Sequence, residues 1–292
     1  MSSFKLNNSE ESWKVFLEAI RGKTLMNDRY MSAYFRDFPE GVQLVVSIIL
    51  DKPDIEVVEV RAQDTFTNLY GRTLRIDIYA KDSEGVRYDI EIQCKKDGAG
   101  CKRARYHSSM LDANVYELIG ENFEKLPKSI VIFICESDFF GKDLPLYTIN
   151  RSINETGEDF PDEATIIYVN GENKDHNTAL GRLMEDFFNP DPDTMNYEIL
   201  ANKAKMIKNI EKGSDSMQIV REYLTEEDWN AAIKEGEKQE NNRGISLMIH
   251  DNFDEKIPVE RIVIKLGKYY NLTPEEARER IEKEKVTYRA AD

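Results

Sequence analysis

Cysteine is scarce: three residues in a chain of 292 exclude a disulfide scaffold and suit a reducing compartment. Long apolar runs are absent as well. The longest, Ile130-Val131-Ile132-Phe133-Ile134-Cys135, falls far short of the ~20 residues that a membrane helix needs. Positive charge is in deficit, with 40 Lys+Arg against 55 Asp+Glu and a formal net charge of −15. That balance argues against a protein that coats nucleic acid by bulk charge, but it leaves room for an enzyme acting through one local patch. Met1-Ser2-Ser3-Phe4-Lys5-Leu6-Asn7-Asn8 has no apolar signal-peptide core, so the expected setting is cytoplasmic. No Gly-rich phosphate loop of Walker or dinucleotide type occurs. His107, His176 and His250 lack triad-like or HExxH company and read as non-catalytic. Cys94 and Cys101, with no second pair, make no zinc site.

What is present suffices for a folded core, at 40% hydrophobic and 10% aromatic residues. Trp13, Phe16, Leu17 and Ile20 fall at helical spacing, and Asp28 to Phe35 continues the pattern. Val42 to Leu50 is too long for a typical strand and reads as a buried helix that Lys52-Pro53-Asp54 ends. Strands are expected at Ile55–Val60, Leu74–Ala80 and Val86–Cys94, then at Ser129–Cys135 and Ala164–Val169. Helical spacing returns from Cys101 to about Leu118 and from Thr178 to Phe188. Asn189-Pro190-Asp191-Pro192 is the best candidate boundary, giving domains at 1–190 and 191–292. The second is helical and charged, with Glu235 to Asn242 read as an exposed linker and Thr273-Pro274-Glu275-Glu276 as a capping box. Ile262, Leu266, Tyr269 and Tyr270 form an apolar stripe suited to bundle packing, to self-association into a homo-oligomer or to partner docking.

The informative feature is a hairpin. If Ser83-Glu84-Gly85 is a three-residue loop, Gly85 takes the position needing positive φ and Asp82 pairs with Val86. Five steps further out Asp77 comes opposite Glu91, with Cβ atoms ~5 Å apart. Alternation puts Gln93 on that same face and Ile76, Ile78, Ile90 and Ile92 on the other. Opposed carboxylates repel, and a divalent cation between them removes the penalty. Hard oxygen ligands suit Mg²⁺ or Mn²⁺. The plainer reading stands beside this one: both acids solvated, each paired with Arg75, Arg87 or Lys95. A basic loop follows, with Lys95, Lys96, Lys102, Arg103 and Arg105 against Asp97 alone, and it suits either a phosphate backbone or plain solvent.

Leu74-Arg75-Ile76-Asp77-Ile78-Tyr79-Ala80, then Tyr88-Asp89-Ile90-Glu91-Ile92-Gln93, then Lys102-Arg103-Ala104-Arg105-Tyr106-His107, resembles the recombination-promoting nuclease/putative transposase family of the PD-(D/E)XK nuclease superfamily. The likeness covers roughly residues 25–190. It implies an α/β restriction-endonuclease-like core, a mixed sheet flanked by helices, cutting DNA with Mg²⁺. By the same resemblance Asp77 and Glu91 are the metal carboxylates, and Gln93 stands where the wider superfamily has Lys. Asp28 matches an acidic residue on the N-terminal helix. Lys95, Lys96, Lys102, Arg103, Arg105 and Tyr106 would face DNA, with Arg105 or Tyr106 near the active site. His107 departs from the Tyr common at its position. The reading is a metal-dependent deoxyribonuclease followed by a helical C-terminal region. The alternatives are a nuclease-derived fold that binds DNA or protein without cutting, and an interaction protein acting through its helical tail.

Overall fold

The computed structural model describes Leu17, residues 20–67, Gly71, and residues 73–94, 96–115, 122–209 and 226–289. Most of the first expected helix lies outside these residues. Its described end at Ile20 does not run on into the next, because Asn27 interrupts as an N-cap and its side chain accepts from the Tyr30 amide at 3.1 Å. Helix α1, Asp28–Phe35, starts there and buries Tyr30, Met31, Tyr34 and Phe35. Helix α2, Pro39–Leu50, opens with proline in its first turn and buries Val42, Val45, Val46 and Ile49. It stops at Asp51, which adopts a left-handed φ of 51° and returns its amide to Ile48.

Strands β1 (Val57–Thr67), β2 (Thr73–Asp82) and β3 (Arg87–Gln93) form an antiparallel meander. β4 (Ser129–Cys135) and β6 (Ala164–Asn170) continue it in parallel, and β5 (Leu146–Ile149) pairs antiparallel with β6 at the edge. The six-stranded order is β1-β2-β3-β4-β6-β5. β4 is buried along its whole length, as a strand with neighbours on both sides and helices on both faces must be. Helix α3, Cys101–Ala113, supplies the crossover from β3 and packs on β4. Its Ala104, Met110 and Leu111 join Tyr79, Val131, Phe133 and Tyr168 in one core cluster. Phe35, Val42 and Val45 meet Ile78, Ile90 and Ile92 on the opposite face, together with Phe187 of helix α4, Ala179–Phe188.

The hairpin has the expected register. Asp82 donates its amide to Val86 at 3.1 Å, Ile78 pairs with Ile90, and Gly85 has φ +87°. The Asp82 carboxylate pins the turn by accepting from the Glu84 and Val86 amides and from the Tyr88 hydroxyl at 3.0, 2.8 and 2.6 Å. One expectation fails here. Ile76 belongs with Phe66, Tyr79 and Phe133 rather than with Ile78, because regular alternation breaks at Asp77.

The chain divides into two compact units, Ile20–Thr225 and one that takes in Glu226–Asp292. The first unit extends past the Pro/Asp cluster at 189–192. Helix α5, Glu198–Lys208, buries Leu200, Ala204 and Ile207, and the Tyr34 hydroxyl donates to the Leu200 carbonyl at 2.5 Å. In the other unit, helices α6 (Glu226–Asp254), α7 (Val259–Tyr270) and α8 (Pro274–Arg289) close over Ile245, Ile249, Ile262, Leu266, Ala277 and Ile281. Glu235–Asn242 is helical rather than a linker. Glu, Lys and Gln are good helix formers, and exposure alone does not break a helix. Of the apolar stripe, Ile262 and Leu266 are buried and Tyr270 packs against them, whereas Tyr269 is 61% exposed. The capping box is present: Thr273 donates its amide to Glu276 Oε2 at 2.8 Å, and Glu276 returns its amide to Thr273 Oγ1 at 3.3 Å. Among the described residues no helix is long and apolar enough to cross a membrane.

Candidate active site

The outer end of the hairpin is where the ladder gives way to side chains. Beyond Ile78–Ile90 the carboxylates take over the backbone groups. Glu91 Oε1 accepts from the Asp77 amide at 3.0 Å, and Asp77 Oδ2 accepts from the Ile92 amide at 3.1 Å. Asp77 and Glu91 therefore meet as the register requires, but buried, at 7% and 0% exposure. The solvated reading of the pair is excluded.

Arg103, in the first turn of α3, organises what surrounds them. Its Nη2 donates to Glu91 Oε2 at 2.9 Å, Nη1 to the Gly98 carbonyl at 3.0 Å and to Gln93 Oε1 at 3.5 Å, and Nε to His107 Nε2 at 3.2 Å. A Cβ at Gly98 would lie 2.0 Å from Gln93 Oε1, so a side chain there would push the Gln93 amide out of its present place. Asp28 reaches the same region from α1 through Arg75 Nη2, 3.4 Å away, and its Oδ1 is buried without a hydrogen-bond donor.

Two further groups lie here: Asp89, not singled out from the sequence, and His107, expected there to be non-catalytic. Asp89 and His107 are both wholly buried, with His107 Nδ1 2.7 Å from Asp89 Oδ2 and 3.8 Å from Glu91 Oε1. The parity of Asp89 with Glu91 along β3 was a usable signal. The position of His107 one turn beyond Arg103 was another. Of the other basic candidates, the Lys96 side chain lies outside the described residues. Lys95 lies outside the described residues. Lys102 and Arg105 are exposed on α3, and Tyr106 packs against the core cluster. Arg103 rather than Arg105 reaches the carboxylates, because residues two apart on a helix point to different sides.

Burial governs the electrostatics. It pushes Asp77 up to about 6, helped by the charge of Asp28 and opposed by the Ile92 amide, Arg103 and Arg75. It raises Glu91 well above the usual carboxylate range, with Asp89 and Asp77 adding repulsion. Asp89 is raised in the same way, and His107 is lowered by its own desolvation. Three acids thus crowd one small volume, and the Arg103 guanidinium contacts Glu91. Asp89 Oδ1, like Asp28 Oδ1, has no donor. Such a donor set fits a hard divalent cation, which would relieve the repulsion and occupy the orphaned oxygens. Asp89, Glu91 and His107 also offer ligand atoms within 4.8 Å of one another, so this cluster could hold a metal.

Residues 45–183, which span this hairpin, the sheet and α3, match the family model described as PD-(D/E)XK nuclease family transposase. That segment is similar to PD-(D/E)XK nuclease-family domains over 45–183. The mixed six-stranded sheet flanked by helices agrees with the restriction-endonuclease-like architecture of that family. No curated protein and no solved structure matches the chain. The nuclease-family segment contains Asp77, Glu91, Gln93, Asp89, Arg103 and His107, whereas Asp28 precedes it.

Proposed function

We propose that this domain is a Mg²⁺- or Mn²⁺-dependent endonuclease that hydrolyses phosphodiester bonds in DNA. The observation that carries the reading is the burial of Asp77 and Glu91 against each other beside Arg103, in a segment that matches a nuclease family. Asp77 and Glu91 would hold the metal, with Asp28 close enough to contribute charge. A cation bound there would polarise the phosphodiester and lower the pKa of a water. Gln93 has no proton to exchange near neutrality, so its role is to orient a water through its amide. Arg103 supplies fixed positive charge for the phosphate oxygens. The exposed Lys102 and Arg105 would add backbone attraction that weakens with salt.

One observation favours a second reading. Arg103 already neutralises Glu91 at 2.9 Å, as it would in a domain that binds DNA without cutting. Supercoiled plasmid with Mg²⁺ or Mn²⁺ separates the two readings. Nicking by the wild type that EDTA and Asp77→Asn both abolish supports the nuclease. A folded wild type that retards DNA in a gel and never nicks it supports the binder.

A further inference from the structure

The His107–Asp89 pair is more than packing requires. The imidazole packs on Phe133 at a ring separation of 5.6 Å, the rings inclined by 67°. Burying a polar ring and an acid beside Asp77 and Glu91 is unfavourable unless their hydrogen bonds are used. Here they are used in series. A guanidinium can only donate, so Arg103 Nε facing His107 Nε2 at 3.2 Å leaves Nε2 without a proton. The neutral ring then carries its proton on Nδ1 and donates it to Asp89 Oδ2 at 2.7 Å. The chain runs from β3 through the ring to α3 and returns to β3, where Arg103 meets Glu91 and Gln93.

We propose that Asp89 and His107 are positioning residues that hold the Arg103 guanidinium against Glu91 and Gln93, and that His107 is not a metal ligand. Metal on Nδ1 would displace the proton that Asp89 accepts. A neutral ring would then carry that proton on Nε2, donor against donor with Arg103. Arg103 leans on these contacts because its side chain is 42% exposed and would otherwise sample many rotamers. The inference rests on the nuclease reading for its purpose, but its geometry can be tested separately.

The test has two arms. In the first, ¹⁵N spectra of the wild-type imidazole show a protonated Nδ1 and a bare Nε2, unchanged by saturating Mg²⁺, with Nε2 shifting in Arg103→Ala. Loss of the Nδ1 proton on adding Mg²⁺ overturns the proposal. In the second arm, plasmid nicking at saturating Mg²⁺ is followed in His107→Phe, Asp89→Asn, Arg103→Ala and the His107→Phe/Arg103→Ala double variant. His107→Phe lowers kcat roughly ten- to a hundredfold, the scale of a lost hydrogen bond to a charged group, and leaves KM for DNA nearly unchanged. It causes no further loss in the Arg103→Ala background. Losses that multiply overturn the relay alone. A wild type that cuts nothing while its imidazole spectra stay as expected overturns the nuclease reading, and with it the catalytic purpose of the relay. The spectra need no substitution, so that arm stands even where a variant fails to fold.

Discussion

Asp77→Asn should strengthen the metal-free fold at alkaline pH while destroying the site. Asp77 is 7% exposed and holds its proton up to about pH 6, against about 4 for a solvated carboxyl. A tenfold change in proton affinity is worth ~1.4 kcal/mol, so ionising Asp77 in the folded protein costs roughly 3 kcal/mol. The sign follows from which state holds the proton. The folded state binds it more tightly, so this group's contribution is complete below pH ~4 and is lost as pH rises through about 6. Asparagine is neutral throughout, and its amide oxygen can still accept from the Ile92 amide, the bond Asp77 Oδ2 makes at 3.1 Å. In urea titrations with EDTA, Asp77→Asn should therefore be more stable than wild type by about 1–3 kcal/mol at pH 8, the gap closing towards pH 4. Mg²⁺ should narrow the gap at pH 8 by stabilising the wild type alone. A variant less stable than wild type at pH 8, or a gap independent of pH, would refute the claim that burial sets this carboxyl's proton affinity.

Three other substitutions probe separate parts of the argument. Gly98→Ala places a methyl 2.0 Å from Gln93 Oε1, at the end of a side chain that can move away, so nicking should fall roughly tenfold with stability shifted by less than about 1 kcal/mol; loss of both together would mean the loop itself had failed. Lys208→Met removes the ammonium that donates to the carbonyls of Arg21, Lys23 and Pro190 and should destabilise the first unit by about 2–4 kcal/mol in denaturant. Thr273→Ala breaks the capping box and should lower stability by about 1 kcal/mol, read by circular dichroism melting, with nicking by the intact chain unaffected.

The hairpin was legible because its turn is local. Gly85 and the Asp82 carboxylate fix the loop, the loop fixes the register, and the register brings Asp77 to Glu91. Burial of that pair was not legible, since it comes from α3 and from neighbouring strands whose order no local pattern announces. The break in alternation at Ile76 has the same origin: side chains, not the pleat, satisfy the backbone there. His107 was dismissed for lack of companions in sequence, yet its partner Asp89 lies eighteen positions earlier and meets it only when α3 docks on the sheet. Glu235–Asn242 failed for a different reason, because charge-rich composition describes a solvated helix as well as a solvated linker.

The substitution of carboxylates for ladder bonds at Asp77 and Ile92 ties two amide protons to the chemistry of the site. Elsewhere in a sheet, slow exchange with solvent deuterium records how often strands separate. At these two positions the acceptors are Glu91 and Asp77, so protection should follow whatever loads or neutralises those acids. The amides of Asp77 and Ile92 are thereby built-in gauges, and their exchange would register a cation arriving at the site.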